Sequence, residues 1–283
     1  MSRSTTQVKD AVTSPTLTIA VGGTPFAYRE FGPSTGVPLV FLHHFTAVID
    51  DWDPRVIDGI AAERRVIVFD NRGVGGSGGR TPTTVSAMAD DAIAFIRALG
   101  LEQVDLMGFS LGGFISQVIV TEEPTVVRRM VLAGTGAAGS ARVGKFSRRL
   151  ISDTLQGAIT LSDPKPYLFF TRSANGKAAA AGYMQRLNER TADRVRPTSL
   201  RGVAAQLVAI HRWGRQAPMD LAAIEHPVLV ANGEDDRMLP TRASFDLAHR
   251  LPNASLRIYP DSGHGGVFQY HEQFVSQVLE FLS

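Results

Sequence analysis

A serine framed by glycines, Gly108-Phe109-Ser110-Leu111-Gly112, is the stretch of this chain best suited to chemistry. Val104 to Met107 before it form a short, largely apolar run that reads as a strand, and Phe114 to Val120 after it read as an apolar helix face. A serine on a strand-to-helix turn is forced into a strained, exposed position at the end of a sheet. Glycines on either side let strand and helix approach closely around it. With 27 glycines in 283 residues, the same pattern can also arise by chance in a flexible Ser/Gly loop, so its weight comes from the flanking elements.

A serine hydroxyl is a poor nucleophile at neutral pH. It needs a base to take its proton, and the base needs an acid to orient it. Pro227 to Ala231 is an apolar run leading through Asn232-Gly233 into the acidic loop Glu234-Asp235-Asp236-Arg237-Met238-Leu239-Pro240. Ser255 to Tyr259 is another strand pattern, followed by Pro260-Asp261-Ser262-Gly263-His264-Gly265-Gly266. Candidate acids and a candidate base therefore both follow the C-terminal ends of strands, the edge where an open parallel sheet gathers its ligands and catalysts.

Five motifs carry a family resemblance: Phe41-Leu42-His43-His44-Phe45, Asp70-Asn71-Arg72-Gly73-Val74-Gly75-Gly76-Ser77, Gly108 to Gly113, Gly233 to Pro240, and Ser262-Gly263-His264. With the order Ser, Asp, His along the chain, they make residues 16–282 resemble the α/β-hydrolase-fold serine esterases. The resemblance implies a mostly parallel eight-stranded sheet flanked by helices, an inserted helical cap, and a cofactor-independent serine hydrolase acting on a small to medium carboxylic ester. The family spacing G-x-x-D-x-x-x-P maps onto Gly233, Asp236 and Pro240. It therefore makes Asp236 the orienting acid, with Asp235 as a turn or cap residue. His264 is the implied base, and His271 falls in the terminal helical pattern. The implied oxyanion donors are the N–H groups of Leu111, after the nucleophile, and of Phe45, in the loop after the strand Pro38 to Leu42. That loop usually reads His-Gly-x in the family. Here His44 replaces the glycine, either as a packed loop residue or as a group that narrows the acyl pocket or bonds the substrate. Trp52 reads as an anchor for the same loop.

Lactone hydrolysis, perhydrolysis and hydrolytic C–C cleavage use the same triad and stay open as alternatives. So does a catalytically idle homologue that binds a small ligand. Epoxide hydrolases and haloalkane dehalogenases resemble the fold but carry a carboxylate where Ser110 stands.

The elements that must position these groups alternate along the chain. Thr16–Val21, Pro25–Phe31, Pro38–His43, Arg65–Asp70 and Val126–Ala133 read as strands. Asp53–Ala62, opening with Asp-Pro, and the amphipathic stretch Thr84–Leu99, stopped by Gly100, read as helices. Such alternation implies a mostly parallel sheet covered on both faces. It breaks at residues 137–215, where helices are expected at Val143–Gln156, Pro166–Arg172, Ala178–Thr191 and Leu200–Trp213. This segment is the expected cap, and 16–136 with 216–283 the expected core domain. Phe169, Phe170, Tyr183, Met184, Leu187 and Trp213 either face the pocket from it or pack within it.

The chain has no cysteine, which excludes disulfides, a thiol nucleophile and thiolate metal sites. Its seven histidines show no metal-ligand spacing, so neither a metal nor another cofactor is expected. The Gly73–Gly79 loop lacks the pattern of a phosphate cradle. Residues 1–15 are polar, without the apolar core of a secretion signal, and read as a disordered tail. No stretch approaches the roughly 18 apolar residues of a membrane span. A cytoplasmic protein with a small-molecule partner, and neither a nucleic acid nor a membrane, is the expectation. Net charge is +2, but residues 137–215 hold 14 Lys and Arg against 4 Asp and Glu. Those cations either pair with the acidic body or steer an anionic substrate or partner.

Overall fold

A computed structural model describes residues 10–139 and 163–283. Eight strands form one sheet: β1 (Leu17–Val21), β2 (Thr24–Phe31), β3 (Leu39–Leu42), β4 (Val66–Phe69), β5 (Val104–Phe109), β6 (Val127–Ala133), β7 (Val228–Gly233) and β8 (Ala254–Tyr259). Their spatial order is β1-β2-β4-β3-β5-β6-β7-β8. β2 runs antiparallel to β1 and β4, and every other pairing is parallel.

The central strands are short and fully buried, and apolar except for Asp105 in β5, because both faces of the sheet are covered. Their two-residue period divides the side chains between two cores. Val40, Leu42, Ile67, Phe69, Leu106 and Leu132 face one way. Phe41, Val66, Val68, Met107, Val131 and Leu229 face the other. Helices α2 (Val85–Ala98) and α3 (Leu111–Glu122) complete the first core. Helix α1 (Pro54–Ala61) contributes to the second. Asp53 caps α1 through the Arg55 N–H, with Pro54 in the first turn, and Thr84 caps α2 through the Ala87 N–H.

Between β6 and β7 the chain leaves the sheet. The described residues there form α4 (Lys165–Phe169), α5 (Ala174–Leu187) and α6 (Leu200–Arg215). Ser173 and Ser199 cap the last two through the N–H groups of Gly176 and Gly202. The helix expected at Val143–Gln156 lies outside the described residues, as do residues 1–9 of the N-terminal segment. Asp10 to Pro15 run along the body: the Ala11 N–H donates to Asp58 at 2.7 Å, and Arg190 donates to the Val12 carbonyl at 2.9 Å. After β7 come α7 (Arg242–Arg250), α8 (Gly266–Gln269) and α9 (His271–Leu282), which adds Phe274, Val278 and Leu282 to the second core.

Register sets the site. Leu42 pairs with Gly108, Phe109 with Ala133, Ala133 with Ala231, and Gly233 with Tyr259. The loops carrying His44, Ser110, Asp236 and His264 consequently leave the sheet from one edge.

Candidate active site

Ser110 sits at φ 54°, ψ −112° between β5 and α3, a backbone conformation that non-glycine residues rarely hold. Such strain costs about 1–3 kcal/mol and persists only where surrounding contacts over-determine it. Here the Ser110 N–H donates to the Ala133 carbonyl at 2.9 Å, extending the β5–β6 ladder by one rung. Its own carbonyl accepts from Thr135 Oγ1 at 2.8 Å and from the Gly113 N–H at 3.0 Å. Gly108 and Gly112 are tight against this turn. A Cβ on Gly112 would lie 2.0 Å from the Leu42 carbonyl oxygen.

His264 follows β8 in a loop that passes through Asp261 at φ 43°. Its Nδ1 lies 2.8 Å from Asp236 Oδ2, and both side chains are buried. Asp236 Oδ1 accepts the Met238 and Leu239 N–H groups at 2.8 and 3.0 Å. Asp236 is thereby locked as an acceptor, which makes His264 Nδ1 the donor and leaves a lone pair on Nε2. Among the described residues, Nε2 has no hydrogen-bond partner. Asp235, by contrast, is exposed and spends its N–H on the Ser262 carbonyl. His271 opens α9, half-buried and remote from this arrangement in its contacts.

Ser110, His264, His44 and Phe45 border one cavity of about 790 Å³. Leu168, Phe169, Val203, Leu207 and Met238 give it apolar walls, and Asp51, Asp163 and Lys165 give it a charged end. Lys165 Nζ bridges Asp51 at 3.0 Å and Asp163 at 2.9 Å. Burial lowers the Lys165 pKa, but the two carboxylates outweigh it and hold the ammonium above its ordinary range.

The loop after β3 is well anchored. Trp52 Nε1 donates to His43 Nδ1 at 2.8 Å, and the Trp52 ring meets Phe41 edge-on, so Trp52 is the anchor the sequence suggested. His44 is both packed and at the cavity. Its ring meets Phe109 and Phe169 edge-on, with centroids 5.3 and 5.1 Å away. Its Nδ1 lies 2.9 Å from the Phe45 carbonyl, so Nδ1 carries the proton. Burial pushes its pKa down to about 3, against the opposing pull of Asp51, and His44 is neutral at physiological pH. Neither the Phe45 nor the Leu111 N–H donates to a protein group among the described residues.

Of the six side chains considered for the inner face of the inserted helices, Phe169 borders the cavity. Phe170, Tyr183 and Leu187 are buried in the second core, with Met184 packed against it. Trp213 stacks on Phe114 at 5.2 Å. Three cations of this segment reach one acidic run of the body: Arg186 pairs with Asp53, Arg190 with Asp50, and Lys165 with Asp51. Sequence reasoning missed Gln206 and Thr198, which bond the backbone of Thr46 in the loop after β3. The available signal was a polar residue, Gln206, on the buried stripe Gly202, Gln206, Ala209, Ile210, Trp213 of α6.

No group of three or more His, Cys, Asp or Glu among the described residues is arranged to hold a metal ion. No described helix is long and apolar enough to cross a membrane.

Residues 37–269 match the family model of the alpha/beta hydrolase fold. A solved alpha/beta hydrolase fold protein from Chitinophaga pinensis is 39% identical, with a TM-score of 0.92 over 97% of this chain and 99% of that one. The "Putative carbamate hydrolase RutD" of Caulobacter sp. (strain K31) is 30% identical over 82% of this chain and 85% of its own length. The 2-hydroxymuconate semialdehyde hydrolase of Pseudomonas sp. (strain CF600) is 27% identical over 88% of this chain and 87% of its own. The chain belongs to the alpha/beta hydrolase fold family.

Proposed function

We propose that this protein is a cofactor-independent serine hydrolase that cleaves a small to medium carboxylic ester through an acyl-enzyme. The observation that carries the reading is His264, paired with Asp236 and with an Nε2 unpartnered among the described residues, bordering the same cavity as the strained Ser110. In this reading Ser110 Oγ attacks the carbonyl carbon and His264 Nε2 takes its proton. The carbonyl π electrons move onto oxygen, where the Phe45 and Leu111 N–H groups hold the charge. Collapse of the tetrahedral intermediate expels the alkoxide, which leaves with the proton from His264. Water then enters, gives a proton to His264, and releases the acid from Ser110. Asp236 keeps the imidazole in the required tautomer and stabilises its charged form.

Helices α4 to α6 serve as a cap whose apolar inner wall selects the acyl group and excludes water. A carbamate is a second substrate class, favoured by the name of the 30% identical relative. The same attack and collapse serve it, with carbamic acid as the released product.

The test is hydrolysis of p-nitrophenyl acetate, butyrate and octanoate by wild type, Ser110→Ala and Asp236→Asn. Loss of activity in Ser110→Ala, with a kcat about ten-thousandfold lower in Asp236→Asn, supports the reading. Wild-type turnover by Ser110→Ala refutes it.

A further inference from the structure

The loop that offers the Phe45 N–H has an unusual construction. The Ala47 N–H donates to the His44 carbonyl at 3.1 Å, closing a four-residue turn. The third residue of that turn is Thr46, at φ 66°. A β-branched residue disfavours this left-handed region, and the turn form that places φ above zero at this position normally takes glycine or asparagine. The competing form turns over the Phe45–Thr46 peptide and returns Thr46 to negative φ. Thr46 therefore needs outside contacts to hold it.

The contacts act on both ends of that peptide. His44 Nδ1–H donates to its carbonyl, on Phe45, at 2.9 Å, and its N–H, on Thr46, donates to Gln206 Oε1 at 2.8 Å. One residue further, the Thr46 carbonyl accepts from Thr198 Oγ1 at 2.7 Å. Turning the peptide over would break the first two bonds together and leave a half-buried N–H and carbonyl without these partners. Gln206 itself is buried on α6, so its amide oxygen is held by packing. Two of the three contacts come from the inserted helical segment, more than 150 residues further along the chain.

We propose that Gln206, assisted by Thr198, is a positioning residue that sets the oxyanion loop in its working form, so that the inserted segment completes the site as well as roofing it. The inference rests on the serine-hydrolase reading above. Gln206 touches no reacting atom. It acts on the peptide that follows the Phe45 N–H, fixing the Phe45 ψ and the Thr46 φ so that the His44-to-Ala47 turn, and the donor within it, keeps one geometry.

The experiment compares wild type, Gln206→Leu, Gln206→Glu, Thr198→Val and Ser110→Ala on p-nitrophenyl butyrate. It also measures inhibition by phenylboronic acid, which forms a tetrahedral adduct, and thermal melting. Loss of one oxyanion donor costs about a hundred- to a thousandfold, and a misaligned donor costs less, about ten- to a hundredfold. Gln206→Leu should therefore lower kcat by about that factor, with KM within about threefold of wild type, and raise the boronate inhibition constant in parallel. Gln206→Glu, which keeps an acceptor at the same position, should recover most of both. Thr198→Val should show a smaller loss of the same kind, and it carries the test if Gln206→Leu does not fold. The proposal is overturned if kcat and boronate affinity stay near wild type in Gln206→Leu, or if Leu and Glu variants lose activity equally. Activity that survives in Ser110→Ala would instead sink the serine-hydrolase reading, and the inference with it.

Discussion

Gly112→Ala sets two effects of opposite sign against each other, and the structure decides between them. Gly112 lies in the first turn of α3, where alanine should favour the helix by up to about 1 kcal/mol. The new Cβ, however, would sit 2.0 Å from the Leu42 carbonyl oxygen and 2.5 Å from its carbon. Ordinary contact begins near 3.4 Å, so about 1.4 Å must be relieved. The obstacle is the backbone of the last residue of β3, which is hydrogen-bonded into the sheet opposite Gly108 and cannot rotate away. Overpacking of this kind costs about 1–3 kcal/mol, which against a helix gain of about 1 kcal/mol leaves a net loss of up to about 2 kcal/mol. At this chain length that lowers the melting temperature by several degrees at most. Activity should suffer far more. Leu42 runs directly into His43-His44-Phe45, and a shift of about 1 Å in a catalytic group can cost about a hundredfold. Initial rates on p-nitrophenyl butyrate beside thermal melts check both numbers. Gly182→Ala is the control: in the middle of α5 its Cβ would meet Arg186 Nη1 at 3.1 Å, so that a few tenths of an ångström of relief suffices. That variant should gain up to about 1 kcal/mol and keep its activity. If Gly112→Ala melts as high as Gly182→Ala and retains its rate within about threefold, the close approach of elbow and strand is wrong.

Two further perturbations test the charges around the site. His44 is held neutral when folded, with its pKa down at about 3, and protonates near 6.5 when unfolded. The unfolded state therefore binds the extra proton between those values, and stability should fall as pH drops through that window, on the order of 1 kcal/mol per pH unit. Denaturant titrations of wild type and His44→Phe from pH 7 to pH 3.5 should diverge accordingly, and parallel curves would show that His44 is not kept neutral. Arg186→Met removes the partner of Asp53, a fully buried carboxylate bonded by the Arg186 guanidinium at 2.6 Å. An uncompensated buried charge should cost about 3 kcal/mol, and a loss under about 1 kcal/mol in the same titration would show that Asp53 finds other solvation.

The sheet was legible in the sequence because it is buried on both faces: Leu39–Leu42 and Val66–Phe69 are unbroken apolar runs, and Val104–Phe109 departs from one only at Asp105 and Gly108. The turn at Ser110 was legible because steric necessity writes glycines around it. Asp236 and Asp235 are alike as residue types, and only the family spacing separated them; in the structure, the contacts of one carboxylate with Met238, Leu239 and His264 do so. Helix α7 went unread because it is largely polar, with Ala243, Ser244 and Leu247 as its buried residues. The hold of Gln206 on Thr46 could not be read at all. It joins a side chain to a backbone N–H across 160 residues, and no local pattern encodes such a partner. The aromatic residues of the insertion were ambiguous for a related reason. Whether Trp213 faces a cavity or a core depends on Phe114, on the other side of the chain's path.

The joint between the inserted segment and the histidine loop bears on how far this protein can be treated as interchangeable parts. The Gly265 N–H, next to His264, donates to the Phe169 carbonyl at 2.7 Å. Asp261, three residues before the histidine, accepts from the side chains of Thr171, Ser173 and Asn175. The first of these contacts is made by backbone and would survive any sequence that follows the same path. The other three belong to particular side chains. A chimaera that exchanges residues 163–215 for the corresponding stretch of a relative would alter the pocket wall and, in the same stroke, unfasten His264 from its mount. Grafted specificity in this scaffold should accordingly arrive with depressed turnover unless Thr171, Ser173 and Asn175 travel with the host.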